Sequence, residues 1–142
     1  MAAAKMSVAE LEKFLHEEFP QAFSDGDITI ESADGETCLL RRRFDERMLR
    51  PGGTVSGPTL MAMADFAMYV VLLSAIGPVG LAVTTNLNIN FLRKGQPNQD
   101  VLAAARLLKL GKRLAVGEVN LLSGSSPGPI AHVTATYSIP TK

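Results

Sequence analysis

Across residues 56 to 76 the chain carries a single formally charged side chain, Asp65, inside the run Ser-Gly-Pro-Thr-Leu-Met-Ala-Met-Ala-Asp-Phe-Ala-Met-Tyr-Val-Val-Leu-Leu-Ser-Ala-Ile. Burying an unpaired carboxylate costs several kcal/mol, so Asp65 requires a reason, and a carboxylate is a group on which general acid–base and nucleophilic catalysis draw. Eight residues before it stands Gly57, followed by Pro58. Proline suits the first position of a helix, where its missing N–H would be unpaired anyway, and that makes Gly57 the expected N-cap. A glycine amide at a helix N-terminus, with the helix dipole behind it, can donate to an oxygen that becomes negative during a reaction. A plain turn glycine fits the same residues, and spacing alone favours the turn.

Both residues belong to a helix expected over 58–76 and closed by Gly77-Pro78. Apolar on all sides, such a helix either packs in an interior or crosses a membrane. Its length is close to what about 30 Å of hydrocarbon requires. Asp65 near its middle, the lack of an aromatic belt or basic flank, and the amphipathic strands that follow all favour the interior.

Upstream, Ser7-Val8-Ala9-Glu10 reads as a capping box, and Val8, Leu11, Phe14, Leu15 and Phe19 recur at helical spacing until Pro20. Residues 27 to 44 read as a hairpin turning at Ala33-Asp34-Gly35. Alternation there points Arg41 and Arg43 to one face and Arg42 to the other, which favours a solvated strand over a phosphate site. Pro51-Gly52-Gly53 supplies a turn whose backbone can approach a ligand closely. Downstream, Val83, Thr85, Leu87, Ile89 and Phe91 alternate with Thr84, Asn86, Asn88 and Asn90, predicting a strand with one fully polar face. Three more strands are expected over 100–108, 113–122 and 129–138. This order gives an α+β domain, one antiparallel sheet wrapped around one long helix, with an amphipathic N-terminal helix and linker in 1–26, a core in 27–139 and a single domain over 1–142. So apolar a helix is rarely hidden by one domain of this size, so the sheet is expected to extend across a dimer.

A hydrophobic fraction of 46% and a mean hydropathy of +0.16 suffice for a real core. Fourteen bases balance fourteen acids, so no overall field gathers nucleic acid or acidic membrane, and neither a basic stripe nor stacking aromatics supports nucleic-acid binding. The charge is uneven: residues 1–49 hold eleven acids and six bases, residues 50–142 three acids and eight bases. An anionic ligand therefore belongs with the second part. The single cysteine, Cys38, excludes an internal disulfide, fits a reducing compartment and reads as a small apolar strand residue. No apolar leader precedes the first helix, so the cytoplasm is the expected location. His16 and His132 stand without partners at ligand spacing, and no metal site is expected.

With Gly57, the helix and Asp65 in place, the sequence resembles the hotdog-fold acyl-CoA thioesterases, in the branch related to the phenylacetate-pathway enzymes. Members carry an Asn, a Gly-rich turn, His-Gly-Gly at the helix start and an acid eight residues after the first of those glycines. Here the matching positions are Arg50, Pro51-Gly52-Gly53-Thr54-Val55, Ser56-Gly57-Pro58 and Asp65. Downstream, Thr84-Thr85-Asn86-Leu87-Asn88-Ile89-Asn90-Phe91-Leu92-Arg93 and Gly111-Lys112-Arg113-Leu114-Ala115 are similar to the family's strand-and-turn pattern.

The resemblance implies a hydrolase of small, aromatic or medium-chain acyl-CoA esters. Gly57 would donate its amide to the thioester carbonyl, Asp65 would attack or activate water, and Thr84 would orient that water. Arg50 replaces the family's Asn and Ser56 its His; Ser56 would hydrogen-bond a carbonyl or Asp65, and Arg50 would bring its charge to bear on Asp65 or bind an acidic substrate. Arg93, Lys94, Lys112 and Arg113 are the candidates for coenzyme A, which enters as part of the substrate, with no separate cofactor. Bases in turns fit solvated surface too, but the positive balance of this part favours contact. Met61, Met63 and Met68 offer an adaptable pocket wall, although core packing accounts for at least two of them. The family builds its sites across a dimer, so a homodimer or a dimer of dimers is implied. The alternative from another class is a non-catalytic hotdog module that binds acyl-CoA or serves assembly. A hotdog dehydratase would need a histidine near the acid, and His16 and His132 lie in other segments.

Overall fold

A computed structural model describes residues 3–23 and 26–141; Met1, Ala2, Ser24, Asp25 and Lys142, and with them both ends of the expected 1–142 span and part of its 1–26 segment, lie outside the described residues. The capping box forms: the Glu10 N–H donates to Ser7 Oγ at 3.1 Å and the Ser7 N–H to Glu10 Oε1 at 2.9 Å. It starts helix α1 (Val8–Glu18), whose Leu11 and Leu15 are fully buried. The hairpin follows as β1 (Ile28–Ala33) and β2 (Thr37–Arg42). Asp34 holds its turn by accepting from the backbone N–H groups of Glu36 and Thr37 at 2.9 and 2.7 Å. Arg41 lies on the solvated side as expected, paired with Glu31 at 2.6 Å and Asp100 at 3.2 Å.

The central helix α2 (Gly57–Ile76) starts one residue earlier than expected. Its N-cap is Ser56, not Gly57, because the Ser56 hydroxyl accepts from the Thr59 N–H at 3.3 Å; Gly57 becomes the first helical residue and Pro58 the second. After it come β3 (Val83–Phe91), β4 (Val101–Leu110), β5 (Leu114–Ser123) and β6 (Ala131–Ser138). All pairings are antiparallel, in the order β1-β2-β4-β5-β6-β3, and the sheet curls around α2 as the hotdog fold.

By length and a mean hydropathy of 1.9, α2 would qualify as a membrane span, but 72% of that window is buried inside the protein. The sheet can come this close because small residues, Ala103, Ala105, Ala115, Ala131 and Ala135, stand among the larger ones buried on its inward face. Gly117 marks the tightest approach, since a Cβ there would sit 2.5 Å from the Met68 sulfur. Met63 and Met68 are core, whereas Met61 is 41% exposed. Cys38 is the expected buried strand residue, and burial pushes its thiol up to about 12.

Candidate active site

The side of α2 between α1 and β3 carries Asp65, half-buried. Two hydroxyls converge on one of its oxygens: Thr84 Oγ1 donates to Oδ1 at 2.5 Å, and Tyr137 O–H lies 2.8 Å from the same atom and 2.9 Å from the Asp65 backbone carbonyl. Both donors falling on Oδ1, Oδ2 keeps its lone pairs for other work. Burial pushes the Tyr137 phenol well above its usual range, so at neutral pH it acts as an O–H donor.

Thr84 reaches Asp65 because β3 is not regular. Its pairing with β6 slips between Thr84 and Asn86, a bulge that inserts Thr85 and reverses the alternation. Thr84, expected on the polar face with the asparagines, therefore turns inward opposite Tyr137, while Thr85 donates to the Thr136 carbonyl at 3.3 Å. Tyr137 itself was not singled out from the sequence. Its signal is parity, because it follows Ala131, Val133 and Ala135 on the inward face of β6, where a buried phenol needs a partner.

A groove of about 840 Å³ opens beside Asp65, walled by Phe14 of α1 and its C-cap Phe19, Phe66 and Tyr69 of α2, Val83 of β3, and Tyr137. A second cavity of about 800 Å³ adjoins it between the first half of α2 and the hairpin. His16 lines this second cavity, next to Glu12 and Arg42. Burial raises the Tyr69 phenol, with the Glu18 charge adding to the effect, and its O–H donates to the Gly80 carbonyl at 2.9 Å.

The other expected site residues fall elsewhere. Gly57 presents an N–H with no partner inside the helix. It packs so closely on the Phe91 ring that a Cβ would lie 3.1 Å from it. Along α2, Gly57 and Asp65 are separated by eight residues, about 12 Å at helical rise. Ser56 spends its hydroxyl on the helix cap and on Thr59 Oγ1, 2.8 Å away, two turns from Asp65. Arg50 is exposed on the loop before α2, where its N–H closes a turn onto the Thr54 carbonyl.

The four bases divide into two pairs. Arg93 and Lys94 follow β3 and, with Ser123, Ser125 and Ser126, line a smaller cavity of about 340 Å³; Arg93 also donates to the Pro129 carbonyl at 2.7 Å. Lys112 and Arg113 form the β4–β5 turn at the opposite end of ten-residue strands, about 30 Å away. Thus Gly57, Phe91, Arg93 and Lys94 share one end of the chain, and Asp65, Thr84, Tyr137, Lys112 and Arg113 the other. His132, expected on the surface, lies on the sheet's outer face and meets Glu118 at 3.1 Å, which in turn pairs with Arg106 at 2.7 Å.

The thioesterase superfamily model matches residues 52–129, more than half of the chain and the whole span from the Gly-rich turn to the start of β6. The chain belongs to the thioesterase superfamily. A protein of Saccharolobus solfataricus assigned as an esterase is 30% identical to this thioesterase over 122 residues, covering 85% of this chain and 78% of that one. The solved structure of a protein from Silicibacter sp. TM1040 assigned as a thioesterase is 43% identical, covers 97% of this chain and 94% of its own, and superposes with a TM-score of 0.88. The Escherichia coli PaaI protein of the phenylacetic acid degradation operon is 21% identical over 92% of this chain and 95% of its own, with a TM-score of 0.73, a likeness of fold. The chain is thus a thioester hydrolase of the hotdog fold.

Proposed function

We propose that the enzyme is a soluble cytoplasmic hydrolase of acyl-CoA thioesters carrying small, aromatic or medium-chain acyl groups, with Asp65 as the reacting carboxylate. The observation that carries this reading is the pair of hydroxyls on Asp65 Oδ1 at the floor of an aromatic groove. They fix the carboxylate and leave Oδ2 to take a proton from water or to attack the carbonyl carbon directly. In the first course the activated water adds to the carbonyl carbon and the C–S bond breaks. In the second the C–S bond breaks as an anhydride forms between Asp65 and the acyl group, and a water then cleaves that anhydride and regenerates Asp65. In both, coenzyme A leaves as the thiolate and takes up a proton, and the acyl group leaves as the carboxylic acid. Thr84, hydrogen-bonded to the same carboxylate, would orient that water.

The oxyanion needs an amide about 3 Å away while the attacking atom sits about 3 Å from the carbonyl carbon. A separation near 12 Å between Gly57 and Asp65 of one chain is too long for both to serve one thioester. A second copy resolves this. Strand β3 is a sheet edge with unpaired backbone groups, and exposed apolar residues surround it: Leu81, Val83, Phe91 and Leu92. A two-fold axis through Leu87 would pair Val83 with the partner's Phe91 and carry the partner's Gly57 to Asp65. The same operation would set Lys112 and Arg113 at the same end as the partner's Arg93 and Lys94, four bases around one nucleotide. A homodimer, alone or doubled into a tetramer, is therefore the working unit.

The test is release of free coenzyme A from a panel of acyl-CoA esters, read with a thiol reagent. Asp65→Asn is expected to lower turnover about 10³-fold with the oligomer intact. Wild-type turnover in Asp65→Asn would refute the role of Asp65, and binding of acyl-CoA esters without release of coenzyme A from any of them would refute hydrolysis.

A further inference from the structure

The groove beside Asp65 and the cavity beyond it share a wall of three residues, Ala22, Ala62 and Phe66. Two of these are alanines, which lack the bulk to close a gap. The separation therefore falls on the Phe66 ring, one residue after Asp65 and only 7% exposed. Its orientation is held from both sides. On the Asp65 side, Phe19 meets it edge-on with ring centres 6.0 Å apart; on the far side, Phe23 stacks on it at 6.0 Å and 21°. Aromatic contacts of this kind fix a ring beyond what area burial alone does. Past the ring the lining of the second cavity is mixed, apolar Phe23, Ile28 and Met63 together with charged Glu12, Asp27 and Arg42, so an alkyl chain that passes Phe66 finds apolar wall there as well as polar groups.

We infer that Phe66 is a specificity-determining stop: it sets the length of acyl group the groove accepts, and the cavity behind it is unused volume that longer chains enter once the ring is removed. The inference rests on Asp65 marking the acyl groove. It places no chemistry on Phe66, only a limit on how far the distal end of the acyl chain extends from the reacting carbonyl.

The experiment measures two series on the whole protein: binding of non-hydrolysable alkyl-CoA thioethers from butyl to hexadecyl, and hydrolysis of the matching thioesters from butyryl to palmitoyl. In the wild type, affinity is expected to rise about fourfold with each buried methylene and then to level off at the length that meets the ring. Phe66→Ala should move that break to longer chains and raise the long-to-short ratio of affinity and of kcat/KM at least about tenfold. Phe66→Leu, which keeps most of the packing and guards against loss of the fold, should shift it in the same direction by less. A break that stays put in both variants, or a uniform loss at every chain length, overturns the stop. A shifted break in binding without hydrolysis of any thioester upholds the stop and overturns the reaction, whereas hydrolysis with an unmoved break does the reverse.

Discussion

The two ends of the chain's working face are built from different materials. At the Gly57 end the polar groups are backbone: an amide at the first turn of α2, backed by the helix dipole and pressed against Phe91. At the Asp65 end they are side chains: a carboxylate held by the Thr84 and Tyr137 hydroxyls, set into an aromatic wall. The first end offers an N–H that can stabilise negative charge; the second offers a carboxylate that can move a proton. One α2 carries both and its rise keeps them about 12 Å apart, so the proposed mechanism takes the Asp65 of one copy and the Gly57 of another. The four candidate bases divide the same way, Arg93 and Lys94 at one end and Lys112 and Arg113 at the other.

Breaking each end in turn sharpens this division. The largest effect after Asp65→Asn is expected from Gly57→Pro, which removes the amide at a helical position that accepts proline. Because it also sets a Cβ 3.1 Å from the Phe91 ring, Gly57→Ala, which adds that Cβ and keeps the N–H, is its control. Relative to that control, kcat of Gly57→Pro should fall about 10²- to 10³-fold. Unchanged kcat would remove the amide from the mechanism. At the other end, Tyr137→Phe and Thr84→Val each strip one donor from Oδ1. Each should lower kcat about 10-fold, and the double variant by more than either, since a hydrogen bond to a charged group contributes about 1.5–3 kcal/mol. A single variant at wild-type kcat would show that the hydroxyl only packs. Smaller still, Lys112→Ala with Arg113→Ala should raise KM for acyl-CoA a few-fold at low salt, an effect that fades by about 0.15 M ionic strength and is absent for a thioester lacking the nucleotide. Equal changes with both substrates would show that these bases do not meet coenzyme A.

The smallest effect is a pH response on the approach to the Gly57 end. Side-chain hydrogen bonding from Arg47 holds the Asp45 carboxyl at about 2, below its ordinary 3.8. A depressed acid stabilises the fold above its ordinary pKa, and that contribution is lost as pH falls towards 2. Melting temperature followed from pH 5 down to 2 should therefore drop less steeply in Asp45→Asn than in the wild type. Parallel curves would show that the pair contributes nothing.

Local rules made much of this legible. The β3 range, the capping box and the buried helix follow from alternation, spacing and hydropathy, and Asp65 stands out because a lone carboxylate in an apolar run is costly. What stayed hidden depends on single residues of register. The bulge at Thr85 reverses the faces of β3, and nothing in Thr84-Thr85-Asn86 distinguishes a bulged strand from a regular one. Tyr137 lies seventy-two residues from Asp65, a distance no local pattern bridges. Ser56 displaced Gly57 as the N-cap because a hydroxyl that can accept from the third helical N–H outcompetes glycine there. Arg93 looked free for phosphate, but part of its donor set is spent on the Pro129 carbonyl.

Active-site complementation tests the two-copy site most directly. Asp65→Asn and Gly57→Pro proteins are each expected to be nearly inactive. Mixed in equal amounts and allowed to exchange subunits, half of the dimers become hybrids in which one site carries both lesions and the other carries none. A site shared between copies then predicts recovery of about a quarter of wild-type activity. Hybrid dimers, verified by mass, that regain no activity would contradict it and return Gly57 and Asp65 to a single chain.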